Sequence, residues 1–160
     1  MNYYGYGSPE EVKDLIVWVC SKFHTANRRV PMIAAIAAVE TQFGTYPDTT
    51  IKTGTGILQF DPLTFDECKL YTRLEYKEIV YREFGVDVDL VDYCCLRYSV
   101  FLSIIFGVLQ LLRIAEKLPW TVKGMMKYWK TYWNTKDGKG DEQDFYDSYN
   151  TWKYIIEGEK

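Results

Sequence analysis

With 160 residues, 48% of them apolar and 26% charged, the chain is long enough for one domain around a hydrophobic core and has a globular composition rather than a disordered or fibrous one. Net charge is −3, and most of the imbalance falls in residues 136–160, where four basic residues stand against seven acidic ones. No basic stripe or basic–aromatic repeat runs along any segment, so nucleic acid is not an expected partner, and the near-neutral remainder gives little long-range steering toward an anionic surface.

Residues 1–8 are polar and aromatic, with no apolar stretch behind a basic patch, and do not read as a signal peptide. Ser8-Pro9-Glu10-Glu11 supplies an N-cap, a proline at the first helical position and a capping-box glutamate, which predicts a helix to about Ala26. Cys20 and His24 lie four apart and would share a face of it. A metal site needs two further ligands that cannot be placed, so neither metal nor cofactor is expected. Pro31 opens a second predicted helix and Gly44 closes it. Residues 45–60 differ: Pro47, Gly54, Gly56 and five threonines predict a loop or short β-hairpin. Asp61-Pro62 then caps a third helix.

Further helices are predicted at about 75–84, 88–118, 120–133 and 142–156, separated by Gly85, Pro119 and the Gly138–Gly140 pair. The longest apolar run, residues 98–112, is fenced by Arg97 and Arg113. Its fifteen residues are too few to cross a bilayer comfortably, so it reads as a buried core helix and no stable membrane insertion is expected. Cys20, Cys68, Cys94 and Cys95 lack paired-motif spacing and read as buried structural thiols of a reducing compartment. With no repeat or linker in sight, the whole chain is expected to form one mainly α domain with a small β-hairpin or loop insert.

Glu40 stands out by position. Residues 32–39 are eight consecutive apolar residues, so the second helix should be buried on nearly every side, and Glu40 is the first polar residue after them. It shares a face with Ile33, Ile36 and Ala37, sits in the last turn where the helix dipole disfavours negative charge, and has Phe43 nearby. Desolvation and the dipole both favour the protonated form, the property a glycosidase general acid needs near neutral pH. A surface glutamate near a helix end is the ordinary alternative. The high aromatic share, 17% with fourteen Tyr and five Trp, suits both a sugar-stacking cleft and a core.

A second motif, Gly56-Ile57-Leu58-Gln59-Phe60, places Gln59 nineteen residues after Glu40, with Pro62 and Thr64 next. Together with Glu40-Thr41-Gln42-Phe43-Gly44 it resembles the soluble lytic transglycosylases of the lysozyme superfamily. Their pattern is a catalytic Glu followed by Ser or Thr, then a Gly-hydrophobic-hydrophobic-Gln segment and a Pro-x-Thr. Glycine lets a backbone approach a sugar closely, and a Gln amide can both donate to and accept from hydroxyl and acetamido groups. The same amide could equally satisfy loop backbone. The family also carries Tyr directly before Asn late in the domain, with the phenol near the catalytic carboxyl. Here Tyr132 and Asn134 are split by Trp133, so Tyr132 is the first choice for that role and Tyr128 the second. The resemblance covers roughly residues 31–134, and the tail loosely resembles phage-type members.

The resemblance implies a lysozyme-like fold and a bacteriolytic muramidase, and a monomer is expected. Glu40 would protonate the oxygen leaving between N-acetylmuramic acid and N-acetylglucosamine, the N-acetyl group would support the cationic centre, and Glu40 would then deprotonate the 6-hydroxyl to close a 1,6-anhydro ring. Gln59, Tyr132, Asn134, Phe60 and Gly56 are the expected substrate-binding residues on peptidoglycan. Three other readings remain open at this point. Hydrolysis of the same bond would use a second group such as Asp48 or a threonine, since most glycosidases pair two carboxylates. A chitinase-like enzyme and a non-catalytic glycan-binding or virion structural protein are the others. An endolysin held in the cytoplasm of an infected host until holin-dependent release, or a virion-associated lysin, fits the lack of a leader.

Overall fold

Most of the helix ends fall where the local chemistry puts them. The computed structural model describes residues 2–5, 7–48, 52–134 and 140–158. Helix α1 (Pro9–Ser21) opens with the expected capping box: the Ser8 hydroxyl accepts from the Glu11 N–H, and the Glu11 carboxylate accepts from the Ser8 N–H. Helix α3 (Pro62–Tyr71) starts behind Asp61, which accepts from the Thr64 N–H at 2.8 Å and the Thr64 hydroxyl at 2.6 Å. Helix α4 (Leu74–Phe84) stops at Gly85 in the left-handed region.

The first two helices are divided differently from the expectation. α1 ends at Ser21 rather than near Ala26, and α2 (Ala26–Thr41) begins five residues before Pro31, which lies inside it. A local side-chain contact accounts for this. The buried Arg29 guanidinium turns back to donate to the His24 carbonyl at 2.5 Å and the Thr25 hydroxyl at 2.9 Å, stabilising a left-handed Thr25 as the break. Pro31 is accommodated one turn later, where it forgoes a single backbone bond. His24 therefore lies beyond α1 and is exposed, so it does not share a helix face with Cys20.

The predicted helix at 88–118 resolves into a 3₁₀ turn (Val88–Leu90), α5 (Cys95–Tyr98) and α6 (Val100–Arg113). Ser99 makes the last division, because its extended backbone lets its hydroxyl cap the Leu102 N–H at 3.1 Å. α6 is buried over most of its length, as a core helix should be, and among the described residues no helix is long and apolar enough to cross a membrane. α7 (Val122–Tyr132) is capped by Thr121. The predicted helix at 142–156 breaks at Trp152 into α8 (Glu142–Thr151) and α9 (Lys153–Glu157).

The core lies between α2 and α6. α1 packs on both, α8 and α9 cover α2, and α7 bridges α2 and α8. Lys13 of α1 fastens the C-terminal end by donating to the Ile155 and Ile156 carbonyls at 2.7 and 2.6 Å. Among the described residues the insert contains no strand. A single antiparallel bridge between Thr55 and Phe60 closes the turn through Gly56 and Gln59, so the loop form of the expectation describes residues 52–60. Thr49, Thr50 and Ile51 of that segment lie outside the described residues, as does Gly138. Cys20 and Cys68 are buried, and burial pushes both thiols up to about 12, whereas Cys94 is exposed and Cys95 half-buried, so those two are not core thiols. Among the described residues no three His, Cys, Asp or Glu side chains gather as a metal site would require.

Candidate active site around Glu40

Every residue from Met32 to Ala38 is buried, and Glu40 is the penultimate residue of α2. The helix stops abruptly after it. Gln42, Phe43 and Gly44 all take positive φ (50°, 53° and 85°), which lets the Gln42 and Phe43 N–H groups bond back to the Ala38 and Ala37 carbonyls. Positive φ is unfavourable for a bulky residue such as Phe43, and it persists only where the surroundings enforce it. They do so here. The fully buried Phe43 ring lies edge-on to Trp152 at 5.3 Å, and the Gln42 amide donates to Ser148 and accepts from the Trp152 indole.

The Glu40 carboxyl is largely buried and accepts one hydrogen bond, from the indole N–H of Trp129 to Oε1 at 2.8 Å. Among the described residues no cation pairs with it. Burial pushes its pKa from 4.5 up to about 7, with the Trp129 bond pulling the other way. A carboxyl in that state is partly protonated at neutral pH. It can give up a proton and then take one, as general acid–base chemistry requires.

Hydrogen bonds join the two motif segments. The buried Thr41 hydroxyl donates to the Ile57 carbonyl at 2.8 Å and accepts from the Gly44 N–H at 3.0 Å, tying the end of α2 to the Gly56–Gln59 turn. α7 and the residue that ends it clamp both segments with indoles four residues apart. Trp129 holds Glu40, and Trp133 donates to the Leu58 carbonyl at 3.0 Å. Tyr93 adds a bond to the Phe60 carbonyl at 2.7 Å.

The expected binding residues divide. Gly56 (φ 74°) is buried, and a β-carbon there would lie 2.3 Å from the Ser103 hydroxyl and 2.6 Å from the Leu96 carbonyl oxygen. Its close approach is to α5 and α6 rather than to open space. Phe60 is buried against Phe106 and Trp133, so its ring is core and not a sugar platform. Gln59, also at positive φ (50°), donates its amide to Asp48 and to the Gly56 carbonyl, so the amide serves the loop. Tyr132 is exposed, its ring lies tilted against Tyr128 with centroids 4.8 Å apart, and it lines a shallow depression with Pro119, Gly124 and Thr131. Neither tyrosine bonds to Glu40. Asn134 accepts from Lys130 at 2.9 Å and caps the end of α7 through its N–H to the Trp129 carbonyl.

Asp48 is the anchor of the insert. Its buried carboxylate accepts from the Tyr4 hydroxyl and the Thr55 hydroxyl, both at 2.7 Å, from the Gly56 N–H at 3.3 Å and from Gln59, and Arg97 approaches to 4.0 Å. Both oxygens are thus occupied by donors of the protein itself, which leaves no lone pair for a catalytic base to use freely. Asp48→Asn puts an amide donor among these donors. It is expected to lower unfolding free energy by about 2 kcal/mol, read as a fall in thermal midpoint. An unchanged midpoint would show that the loop does not depend on this carboxylate.

The sequence reading did not find Trp129. The available signal is two tryptophans, Trp129 and Trp133, at helical spacing on a predicted helix, beside Tyr128 and Tyr132. Compared with known proteins, the chain matches no family model, no curated protein and no solved structure.

Proposed function

We propose that this protein is a peptidoglycan-cleaving muramidase with a lysozyme-like fold, acting on the bond between N-acetylmuramic acid and N-acetylglucosamine by transglycosylation, with Glu40 as its single acid and base. The observation that carries this reading is the state of Glu40. It is a carboxyl at a helix end held by one neutral donor, and burial pushes its pKa up to about 7. Two further observations support it. Thr41 joins Glu40 to the Gly56–Gln59 turn, the pairing on which the resemblance rests. Three of the four non-glycine residues at positive φ among the described residues are Gln42, Phe43 and Gln59, in those two segments, and stored backbone strain of this kind gathers at functional sites.

The surroundings of Asp48 support transglycosylation over hydrolysis. Hydrolysis needs a second base or clamp on the far face of the sugar, and the Asp48 oxygens are committed to Tyr4, Thr55, Gly56 and Gln59. In this reading Glu40 serves both steps, protonating the leaving oxygen and then taking the proton from the sugar's own 6-hydroxyl as it attacks. The test is incubation with purified peptidoglycan and, separately, with chitin. Release of soluble glycan from the first and not the second supports the reading. Equal action on chitin would make it a chitinase-like enzyme, and release from neither would leave it without its activity.

A further inference from the structure

We propose that Trp129 is the positioning residue for Glu40 and decides which carboxyl oxygen carries the transferable proton, an inference that rests on the acid–base role given to Glu40 above. The argument is geometric. An indole N–H can only donate, so the oxygen it reaches must act as an acceptor in both protonation states. That oxygen is Oε1, at 2.8 Å. When Glu40 is neutral its proton therefore resides on Oε2, for which the described residues offer no hydrogen-bond partner. One oxygen is occupied by the protein and the other is left for chemistry.

The indole itself is held firmly. Trp129 is 1% exposed, its ring lies 5.5 Å from Phe145 of α8, and Gly140 leaves space against its six-membered ring, where a β-carbon would come within 2.8 Å. Glu40 thus depends on the C-terminal segment, although no residue of α8 bonds to it. The charged groups near this region are engaged elsewhere. Lys130 of α7 lies 5.9 Å from the Trp129 ring and donates to Asn134 and the Gly140 carbonyl. Lys13 of α1 is bonded to carbonyls of α9, and Glu157 of α9 accepts from Tyr149 of α8. Burial and the Trp129 bond account for the state of Glu40 without any of them.

A titration that needs no substrate tests this. The side-chain carboxyl of Glu40 can be followed by carbon-13 NMR, its signal identified by its loss in Glu40→Gln. Removing a donor that favours the ionised form should raise the midpoint, by about one pH unit in Trp129→Phe. Phe145→Leu loosens the ring's backing while keeping the N–H, and should leave the midpoint in place even if it lowers stability. The wild-type indole N–H proton signal should move with the same midpoint as the carboxyl, and in Glu40→Gln it should stay hydrogen-bonded but become insensitive to pH. An unmoved midpoint in folded Trp129→Phe, or an indole signal that ignores the carboxyl's titration, would overturn the proposal. If Trp129→Phe does not fold, the wild-type indole signal decides alone. Because these readouts involve no glycan, an inactive wild type with the expected NMR behaviour would sink the functional reading and leave the positioning intact.

Discussion

Glu40→Gln is expected to lower glycan cleavage by roughly two to four orders of magnitude and at the same time to stabilise the protein, by an amount that grows with pH. The sign follows from the raised pKa. Below about pH 4.5 the folded and unfolded chains both hold the proton, and burial of the carboxyl carries no ionisation cost. Between 4.5 and about 7 the unfolded chain releases it while the folded chain keeps it, so wild-type stability falls as pH rises. The loss is about 1.4 kcal/mol for each unit of that window, about 3 kcal/mol in all. Above the folded value it levels off. Glutamine does not titrate, and its carbonyl can keep the Trp129 bond while its amide occupies the place of the acid O–H. Denaturant unfolding of both proteins from about pH 4 to 8 should give curves that diverge in favour of Gln. Parallel curves, or activity and stability lost together, would mean that Glu40 is a structural group. Glu10→Gln and Glu142→Gln, at exposed positions, should change neither measurement.

Gly56→Ala should be the most damaging single substitution in the insert. Two penalties add. The residue sits at φ 74°, a conformation that costs an L-residue about 1–2 kcal/mol, and the new methyl group meets Ser103 Oγ at 2.3 Å and the Leu96 carbonyl oxygen at 2.6 Å. Overpacking of that kind adds about 1–3 kcal/mol, for a total of about 4 kcal/mol in unfolding free energy. Ser103→Gly in the same chain removes the closer contact but neither the Leu96 carbonyl nor the φ strain, so it should restore only part of the loss. Full restoration would show that the backbone conformation costs nothing, and a neutral Gly56→Ala would show that the turn is not fixed as described.

The parts of this fold legible in the sequence are those decided within a few residues. Ser8 with Glu11, Asp61 with Thr64, and Gly85 mark helix ends because each cap bonds to its own chain three or four positions away. The division between α1 and α2 is just as local, four and five positions from Arg29, but it is not legible because an arginine side chain folding back on His24 and Thr25 leaves no sequence mark and overrides the usual preference for proline at a helix start. At the site, the apolar run before Glu40 foretold a desolvated carboxyl. Its partner did not follow, since Trp129 lies 89 residues further along the chain and nothing local marks one aromatic of that helix over another. The Gly56–Phe60 motif was visible as a pattern, but whether a glycine makes room for a ligand or for the protein depends on what crosses it. Here that is α5 and α6, so Gly56 and Phe60 build the loop and Gln59 commits its amide to Asp48.

One measurement bears most directly on Glu40 as the single acid and base of a glycan-cleaving site, namely mass spectrometry of the fragments released from purified peptidoglycan by the wild type and by Glu40→Gln. Wild-type fragments are expected to end in 1,6-anhydro-N-acetylmuramic acid, one water lighter than the reducing product, and the glutamine variant should release almost none. Reducing ends as the dominant product would show that water and not the 6-hydroxyl completes the reaction. Fragments of either kind appearing equally with Glu40→Gln, or none from the wild type, would contradict the assignment of catalysis to Glu40.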